Sequence, residues 1–186
     1  MPLASTAKLT EHFTAFELGA DRPEATTLII SNLRITAEAL ERVRATLGVP
    51  LIANTPAELE RGFRPNPTPR SSPTSDHFRG LAGDVVPFNY AGGMFGAYNA
   101  LRAARDAGTL GAFDQIILYP LQGHIHVGVG ERLRGEFRVY VYEGSGGVPL
   151  ITADTISALG GLAKSSPLLA LLLLIVSAFA LVTLIA

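Results

Sequence analysis

A pattern of histidines and one aspartate, split between two distant segments, constrains the fold of this chain more than any other feature. His77 and Asp84 lie within Ser75–Asp84 (SDHFRGLAGD), where two glycines permit a turn that brings both side chains to one point. His124 and His126 belong to a later run, HIHVGV, whose apolar residues alternate as in a half-buried strand. Because side chains alternate along a strand, both histidines share one face. The pattern therefore predicts a fold that brings a loop and a strand together.

These side-chain types favour a metal site. His77, Asp84 and one strand histidine make a three-ligand set that leaves one zinc position open, as in a metal-assisted hydrolase. Only one of His124 and His126 is needed for that set. The chain has no cysteine, which excludes disulfides and thiolate zinc sites, so histidine and carboxylate must hold any metal. Zinc is the metal that we expect for a nitrogen-rich, open site. The alternative is that these are ordinary polar residues of a loop and a strand, an interpretation that suits a lone histidine better.

The overall charge gives no support to a nucleic-acid partner. The formal net charge is −1, and basic residues are scattered along the 186-residue chain rather than gathered into a stripe. A chain of this length is long enough for one well-buried domain and an appendage. We therefore expect a single folded domain that does not bind nucleic acid.

The last segment differs from the rest of the chain. No charged residue follows Lys164, and Pro167–Ala186 reads PLLALLLLIVSAFALVTLIA. As a helix, that run would cover about 30 Å, the thickness of the hydrocarbon core of a bilayer. We expect a hydrophobic helix over residues 165–186 that either spans a membrane or is buried in a protein assembly. The N-terminal residues lack the apolar core of a signal peptide.

The remaining periodicities predict an α+β fold with a small antiparallel sheet and packed helices. Predicted helices are Leu9–Gly19, Ser31–Gly48 and Met94–Gly108, and predicted strands are Val49–Ala53, Asp114–Tyr119, His124–Val129 and Phe137–Tyr142. Residues 65–75 are rich in proline and serine and form a loop, which we interpret as a lip beside His77 rather than a linker. Residues 1–148 make the folded domain, 149–164 a glycine- and serine-containing linker, and 165–186 the hydrophobic helix.

Several segments resemble one enzyme family in order along the chain. The sequence is similar to the zinc D-alanyl-D-alanine carboxypeptidases and L-alanyl-D-glutamate endopeptidases, which cut peptides of bacterial peptidoglycan, and most of all to the phage-type members. The resemblance covers residues 9–129, and its most specific part is the pattern Ser-x-His-x-x-Gly-x-Ala-x-Asp. The matching segments are LTEHFTAFEL, the helix from Asn32 to Arg44, Gly62-Phe63-Arg64-Pro65, Ser75–Asp84, Phe113–Ile117 and Ile125-His126-Val127.

The resemblance implies a Hedgehog/DD-peptidase-like fold and assigns roles to individual residues. It implies His77, Asp84 and His126 as zinc ligands. Arg64 would steady the carbonyl oxygen of the scissile bond as negative charge develops, although a lone loop arginine is usually just solvated. Ser75 would hydrogen-bond the substrate, and its alternative role is that of a helix-cap or turn residue.

The chain departs from the family pattern at one catalytic position. Active members carry a Glu or Asp shortly before the last zinc histidine, usually three positions earlier, where this chain has Gly123. His124 is the replacement base that we expect, because an imidazole titrates near neutral pH and lies on the face of His126. Asp114 and Glu131 are less convenient candidates. Loss of a general base costs about 10²–10⁴-fold in rate.

Two functions follow as expectations. The first is a zinc peptidase that acts on peptidoglycan, and the second is a non-catalytic zinc-binding relative that serves as a cell-wall-binding or structural virion protein. A hydrophobic C-terminal helix without an export signal would hold the domain away from the wall, unless a virus delivers it from outside. We therefore expect a phage protein, either a virion-associated or a lysis enzyme, that is anchored through residues 165–186 in a viral membrane or among virion proteins. The host inner membrane is the alternative.

Overall fold

The computed structural model describes residues 1–66, 74–130, 132–140 and 149–152. Met1–Leu150 forms one compact unit of α+β architecture. Its α-helices are Ala15–Leu18 (α1), Thr27–Leu47 (α2) and Gly93–Asp106 (α3), and a turn of 3-10 helix covers Asp76–Arg79. Its strands are Leu51–Ile52 (β1), Ala82–Pro87 (β2), Gln115–Tyr119 (β3), His124–Gly128 (β4) and Glu136–Tyr140 (β5), and a further strand, Pro149–Thr152 (β6), occupies the start of the expected linker.

The helices begin where their caps allow. The helix expected from Leu9 is shorter in the structure. Thr14 and Glu17 form a capping box, so α1 begins at Ala15, directly after Thr14. Thr26 caps α2 by accepting a hydrogen bond from the backbone N–H of Ile29, so α2 begins four residues before the expected start at Ser31. Its expected apolar stripe is confirmed as buried: Leu33, Ala37, Leu40, Val43 and Leu47.

The sheet is mixed rather than wholly antiparallel. The order β1-β2-β4-β3-β5 joins neighbours antiparallel except for β3 and β5, which run parallel. Both sides of β4 are already paired, with β2 and β3, so the chain that leaves β4 continues to the free side of β3. A strand that reverses direction after β4 is antiparallel to β4 and hence parallel to β3. The backbone N–H of Glu136 bonds to the carbonyl of Asp114 and starts this pairing.

Strand β2 replaces the turn expected at Gly83. Gly80 does end the 3-10 helix with φ 69°, a conformation that favours glycine. Gly83 instead lies inside β2, opposite Val127 of β4. A Cβ atom at Gly83 would lie 3.2 Å from Leu40 of α2, so this glycine serves the close packing of α2 on the sheet. His77 therefore lies in the 3-10 helix and Asp84 in β2, and the end of that helix and the start of β2 lie between them.

The hydrophobic helix expected over residues 165–186 lies outside the described residues, as does most of the proline-rich loop. Among the residues with a described structure, no helix combines the length and the apolar character that crossing a membrane requires.

Candidate metal centre

Neighbouring strands place two of the predicted ligands side by side. Asp84 of β2 lies directly opposite His126 of β4 in the antiparallel register. Gly83, one residue earlier, points towards α2, because a Cβ there would meet Leu40 and Thr36. Since adjacent residues of a strand point to opposite faces, Asp84 and His126 lie on the sheet face that α2 leaves uncovered.

The 3-10 helix Asp76–Arg79 brings His77 to the same face. The hydroxyl of Thr36, which is wholly buried, donates a hydrogen bond of 2.8 Å to the carbonyl of Gly80 and ties the end of this turn to α2. The backbone N–H of Leu81 then bonds to the carbonyl of Asp76, and β2 begins at once. His77 therefore has a fixed backbone on one side of Asp84.

The three side chains converge and are buried. The distance from His126 Nδ1 to Asp84 Oδ1 is 2.9 Å, and His77 Nε2 lies 3.3 Å from the same oxygen. The two imidazole nitrogens are 3.1 Å apart. Relative exposures are 2% for His77, 3% for Asp84 and 7% for His126. The ligand atoms all lie within 4.8 Å of one another, an arrangement that fits a metal ion.

A backbone carbonyl fixes the orientation of His77. Its Nδ1 lies 2.7 Å from the carbonyl oxygen of Gly62, so the Nδ1–H donates there and Nε2 presents its lone pair to the cluster. Metal-bound histidines usually have such a partner on the outer nitrogen. Gly62 itself has no room for a side chain, because a Cβ would lie 2.3 Å from the carbonyl oxygen of Leu18. The glycine thus lets this segment reach His77.

The electrostatics favour the protonation states that a metal needs. Burial would raise the pKa of Asp84, but the charge of His77 and the hydrogen bonds from His126 and His77 outweigh it and hold the pKa well below its ordinary value. Burial lowers the pKa of His77, more than the neighbouring Asp84 raises it. At neutral pH the carboxyl group is ionised and His77 is neutral, as metal ligands must be.

Arg64 and His124 both lie beside the outer oxygen of Asp84. Arg64 Nη2 donates a hydrogen bond to Asp84 Oδ2, and its Nε donates to the carbonyl of Glu60. His124 Nε2 lies 3.7 Å from the same Oδ2, and its ring stacks on Tyr119 with 4.9 Å between centroids. Burial lowers the pKa of His124 more than Asp84 raises it. The cluster is therefore flanked by one cation and one neutral imidazole.

The other predicted residues have different surroundings. Ser75 is half-buried at the position before the 3-10 helix, and within the described part of the chain its side chain makes no capping hydrogen bond. Gly123 lies in the turn between β3 and β4 with φ 67°. Asp114 is held by hydrogen bonds from Arg134 and is not one of the three residues of the cluster. Glu131 lies outside the described residues.

Two residues that contact the cluster were not expected from the sequence. The first is Gly62, whose carbonyl orients His77. The second is Gln115 of β3, whose Nε2 lies 3.4 Å from His126 Nε2. Alternation along β3 offered a signal for Gln115, because it shares a strand face with Ile117, which pairs with His126. A backbone carbonyl leaves no mark in the sequence.

Comparisons with protein-family models, with curated proteins and with solved structures found no match.

Proposed function

We propose that the chain is a zinc-dependent peptidase that cleaves peptide bonds of bacterial peptidoglycan. The observation that carries this proposal is the buried meeting of His77, Asp84 and His126, with all ligand atoms within 4.8 Å. The resemblance of the surrounding segments to peptidoglycan peptidases supplies the substrate class. Two histidines and one carboxylate are a ligand set of catalytic zinc sites, which keep one position open.

The distances among the ligand atoms are compatible with zinc. Ligands at about 2.0–2.1 Å from a tetrahedral ion lie roughly 3.3 Å from one another. The two imidazole nitrogens are separated by 3.1 Å, and each is 2.9–3.3 Å from Asp84 Oδ1. Binding would thus require shifts of only a few tenths of an ångström. A zinc ion held there supplies Lewis acidity for the hydrolysis of an amide.

The residues around the ligands transfer a proton, stabilise charge and bind the substrate. His124 accepts a proton from the attacking water, because burial keeps its imidazole neutral. Its Nε2 lies 3.7 Å from Asp84 Oδ2 and is therefore beside the ligands. Arg64 stabilises the negative charge that develops on the scissile carbonyl oxygen. Its side chain is 21% exposed, so it can reach a bound substrate as well as Asp84. Ser75, half-buried beside the 3-10 helix, binds a polar group of the substrate.

The proposed setting is a phage particle that delivers the enzyme to the cell wall from outside. The uncharged, apolar residues 165–186 support it, since such a segment suits a viral membrane or a hydrophobic socket among virion proteins. Recovery of the protein from purified particles, by immunoblotting with a chain-specific antibody, is the expected result. Recovery from host cytosol alone would contradict it.

The test of the proposed function compares the whole chain with two histidine variants. The wild-type protein should bind about one zinc per chain and release new amino groups from purified peptidoglycan. His77→Ala should lose both properties, because it removes a ligand. His12→Ala is the matched control, since His12 is exposed and pairs with Glu41 on the surface. Full activity in a metal-free His77→Ala protein would refute the proposal.

A non-catalytic zinc-binding relative is the second candidate, and Gly123 favours it. The family carboxylate is missing there, and a Cβ built on Gly123 meets no atom of the described residues within 4 Å. Such a protein would bind zinc and the cell wall without cutting a panel of muropeptides. It would serve as a wall-binding or structural component of the virion.

Restoring the missing carboxylate separates the two candidates. The φ of 67° at Gly123 disfavours most side chains, but aspartate and asparagine tolerate it best. Gly123→Asp and Gly123→Asn therefore form a matched pair that differs in charge alone. If only Gly123→Asp gains hydrolytic activity, the wild-type protein lacked a sufficient base. Equal activity of wild type and both variants would assign the proton transfer to a group elsewhere in the site.

A further inference from the structure

Gln115 touches the one ligand whose outer nitrogen has no backbone partner among the contacts described. His126 directs Nδ1 into the cluster, 2.9 Å from Asp84 Oδ1. Its other nitrogen, Nε2, therefore points outward, and Gln115 Nε2 lies 3.4 Å from it. Gln115 begins β3 and pairs with Gly128 of β4, two residues beyond His126. The amide and the imidazole thus share one face of adjacent strands.

A metal-bound imidazole needs an acceptor at its outer nitrogen. When Nδ1 of His126 binds a metal through its lone pair, the single ring proton resides on Nε2, which becomes a donor. An amide NH₂ group is also a donor, so the orientation seen in the structure cannot accept that proton. His77 meets the same need through the carbonyl of Gly62. Among the described contacts of His126 Nε2, Gln115 can meet it through its amide oxygen.

We propose that Gln115 is a positioning residue of the metal site, which turns its amide so that Oε1 accepts a hydrogen bond from His126 Nε2–H when a metal is bound. This inference rests on the metal site proposed above. Gln115 then fixes the ring plane of His126, as the Gly62 carbonyl fixes that of His77.

Rotation of the amide gives up one long contact. It breaks the contact of Gln115 Oε1 with Arg134 Nη2, which is already 3.5 Å long. Arg134 keeps its bonds to Asp114, at 2.8 Å through Nε and 3.0 Å through Nη2. Space is also available, because Gly128 has no side chain. A Cβ there would lie 3.0 Å from Gln115 Cγ and 3.4 Å from His126 Nε2.

The test measures the zinc affinity of the whole chain by competition with a chromophoric chelator. Gln115→Met keeps the length of the side chain but removes a strong acceptor, and should bind Zn²⁺ about 10–100-fold more weakly. Gln115→Glu keeps an acceptor in the same place and should bind at least as tightly as wild type. Gln122→Met is the matched control, because Gln122 lies exposed in the turn before β4. Thermal unfolding of each apo protein checks that the fold is kept.

The pattern of the affinities separates the possible failures. Weak binding by Gln115→Met alone, with wild-type affinity in the other two, supports the positioning role. Equal affinity in wild type and Gln115→Met overturns that role and leaves the metal site standing. Weak binding by both Gln115 variants also overturns it, since an acceptor then gives no rescue. A wild-type chain that binds no Zn²⁺ refutes the proposed metal site itself. If Gln115→Met does not fold, Gln115→Leu, which also lacks an acceptor, replaces it with the same expected loss of affinity.

Discussion

Asp84 lies in β2 and Asp114 lies directly before β3, and these two buried aspartates differ in what surrounds them. Their relative exposures are 3% and 2%, and both have a pKa below the ordinary value. Arg134 holds Asp114 through three hydrogen bonds, donated from Nε at 2.8 Å, from Nη2 at 3.0 Å and from its backbone N–H at 3.2 Å. That geometry is a structural ion pair.

Asp84 instead shares its oxygens among several groups. Oδ1 faces nitrogen atoms of His77 and His126, and Oδ2 faces Arg64 and His124. The histidine nitrogens that face Oδ1 also face each other, so the three atoms surround one point. Burial and a lowered pKa are therefore common to both aspartates. What distinguishes a ligand from a structural ion pair is the chemistry and convergence of the partners.

The largest expected difference between the two aspartates is in metal affinity. Asp84→Asn should lower the affinity for Zn²⁺ by more than roughly 100-fold, because it removes a charged ligand. That factor is the largest loss usual for a residue that only hydrogen-bonds a ligand. Asp114→Asn should leave the affinity within a few-fold of wild type. Chelator competition on both purified proteins measures this. Similar losses of Zn²⁺ affinity in the two variants would contradict the assignment of Asp84 as a ligand and Asp114 as part of an ion pair.

The next effect concerns His124, which lies beside Asp84 but outside the three-ligand cluster. His124→Gln should reduce the rate of peptidoglycan hydrolysis by about 10²–10⁴-fold, as expected for loss of a general base. Its zinc content should stay at the wild-type level. Amino-group release and metal analysis on the same sample give both values. Loss of zinc together with activity would instead make His124 a ligand.

A smaller effect is expected on stability at Asp114. Asp114→Asn keeps the shape but loses charge-assisted bonds to Arg134, and should lower the free energy of unfolding by about 1–3 kcal/mol. Arg134 is 30% exposed, so water replaces part of what is lost. Urea unfolding of the apo proteins measures the change. An unchanged midpoint would show that the ion pair adds nothing to the fold.

The smallest effect is the pH dependence of the difference in unfolding free energy between wild type and Asp114→Asn. The hydrogen bond from the Arg134 side chain outweighs burial and holds the pKa of Asp114 below its ordinary value of 3.8. The ionised form stabilises the fold above pH 3.8, and this stability is lost as the pH falls through the lower pKa of the folded state. The unfolding free energies of wild type and Asp114→Asn should therefore converge on acidification. A gap that widens at low pH would contradict the sign.

Local patterns predicted the elements whose partners are close in sequence or repeat with a fixed period. The stripe of α2 follows a helical period, and Gly48 ends that helix with φ 67° as expected. The alternation that placed His124 and His126 on one face is likewise a local property. Pairing across the sheet is not local. The parallel alignment of β5 with β3 follows from which side of β4 is already occupied.

The site was predicted in its side chains but not in its backbone. His77, Asp84 and His126 do meet. Residue types and spacing indicated His77, Asp84 and one of the two strand histidines, and the family resemblance indicated His126. Gly83 was misread as a turn, because a glycine that gives room to a helix looks the same in sequence as one that permits a positive φ. The carbonyl of Gly62 has no signature in the sequence, and the contact of Gln115 required the register of β3 and β4 in addition to the alternation along β3.

The three ligands come from a 3-10 turn and two strands, and β3 and α3 separate those strands along the chain. An unfolded chain therefore holds no preformed site, and the binding energy of a metal becomes folding energy. At a free metal concentration 100 times the dissociation constant, this adds about 2.7 kcal/mol to stability. If the cluster binds a metal as proposed, a chelator would therefore lower the stability of this domain by about that amount.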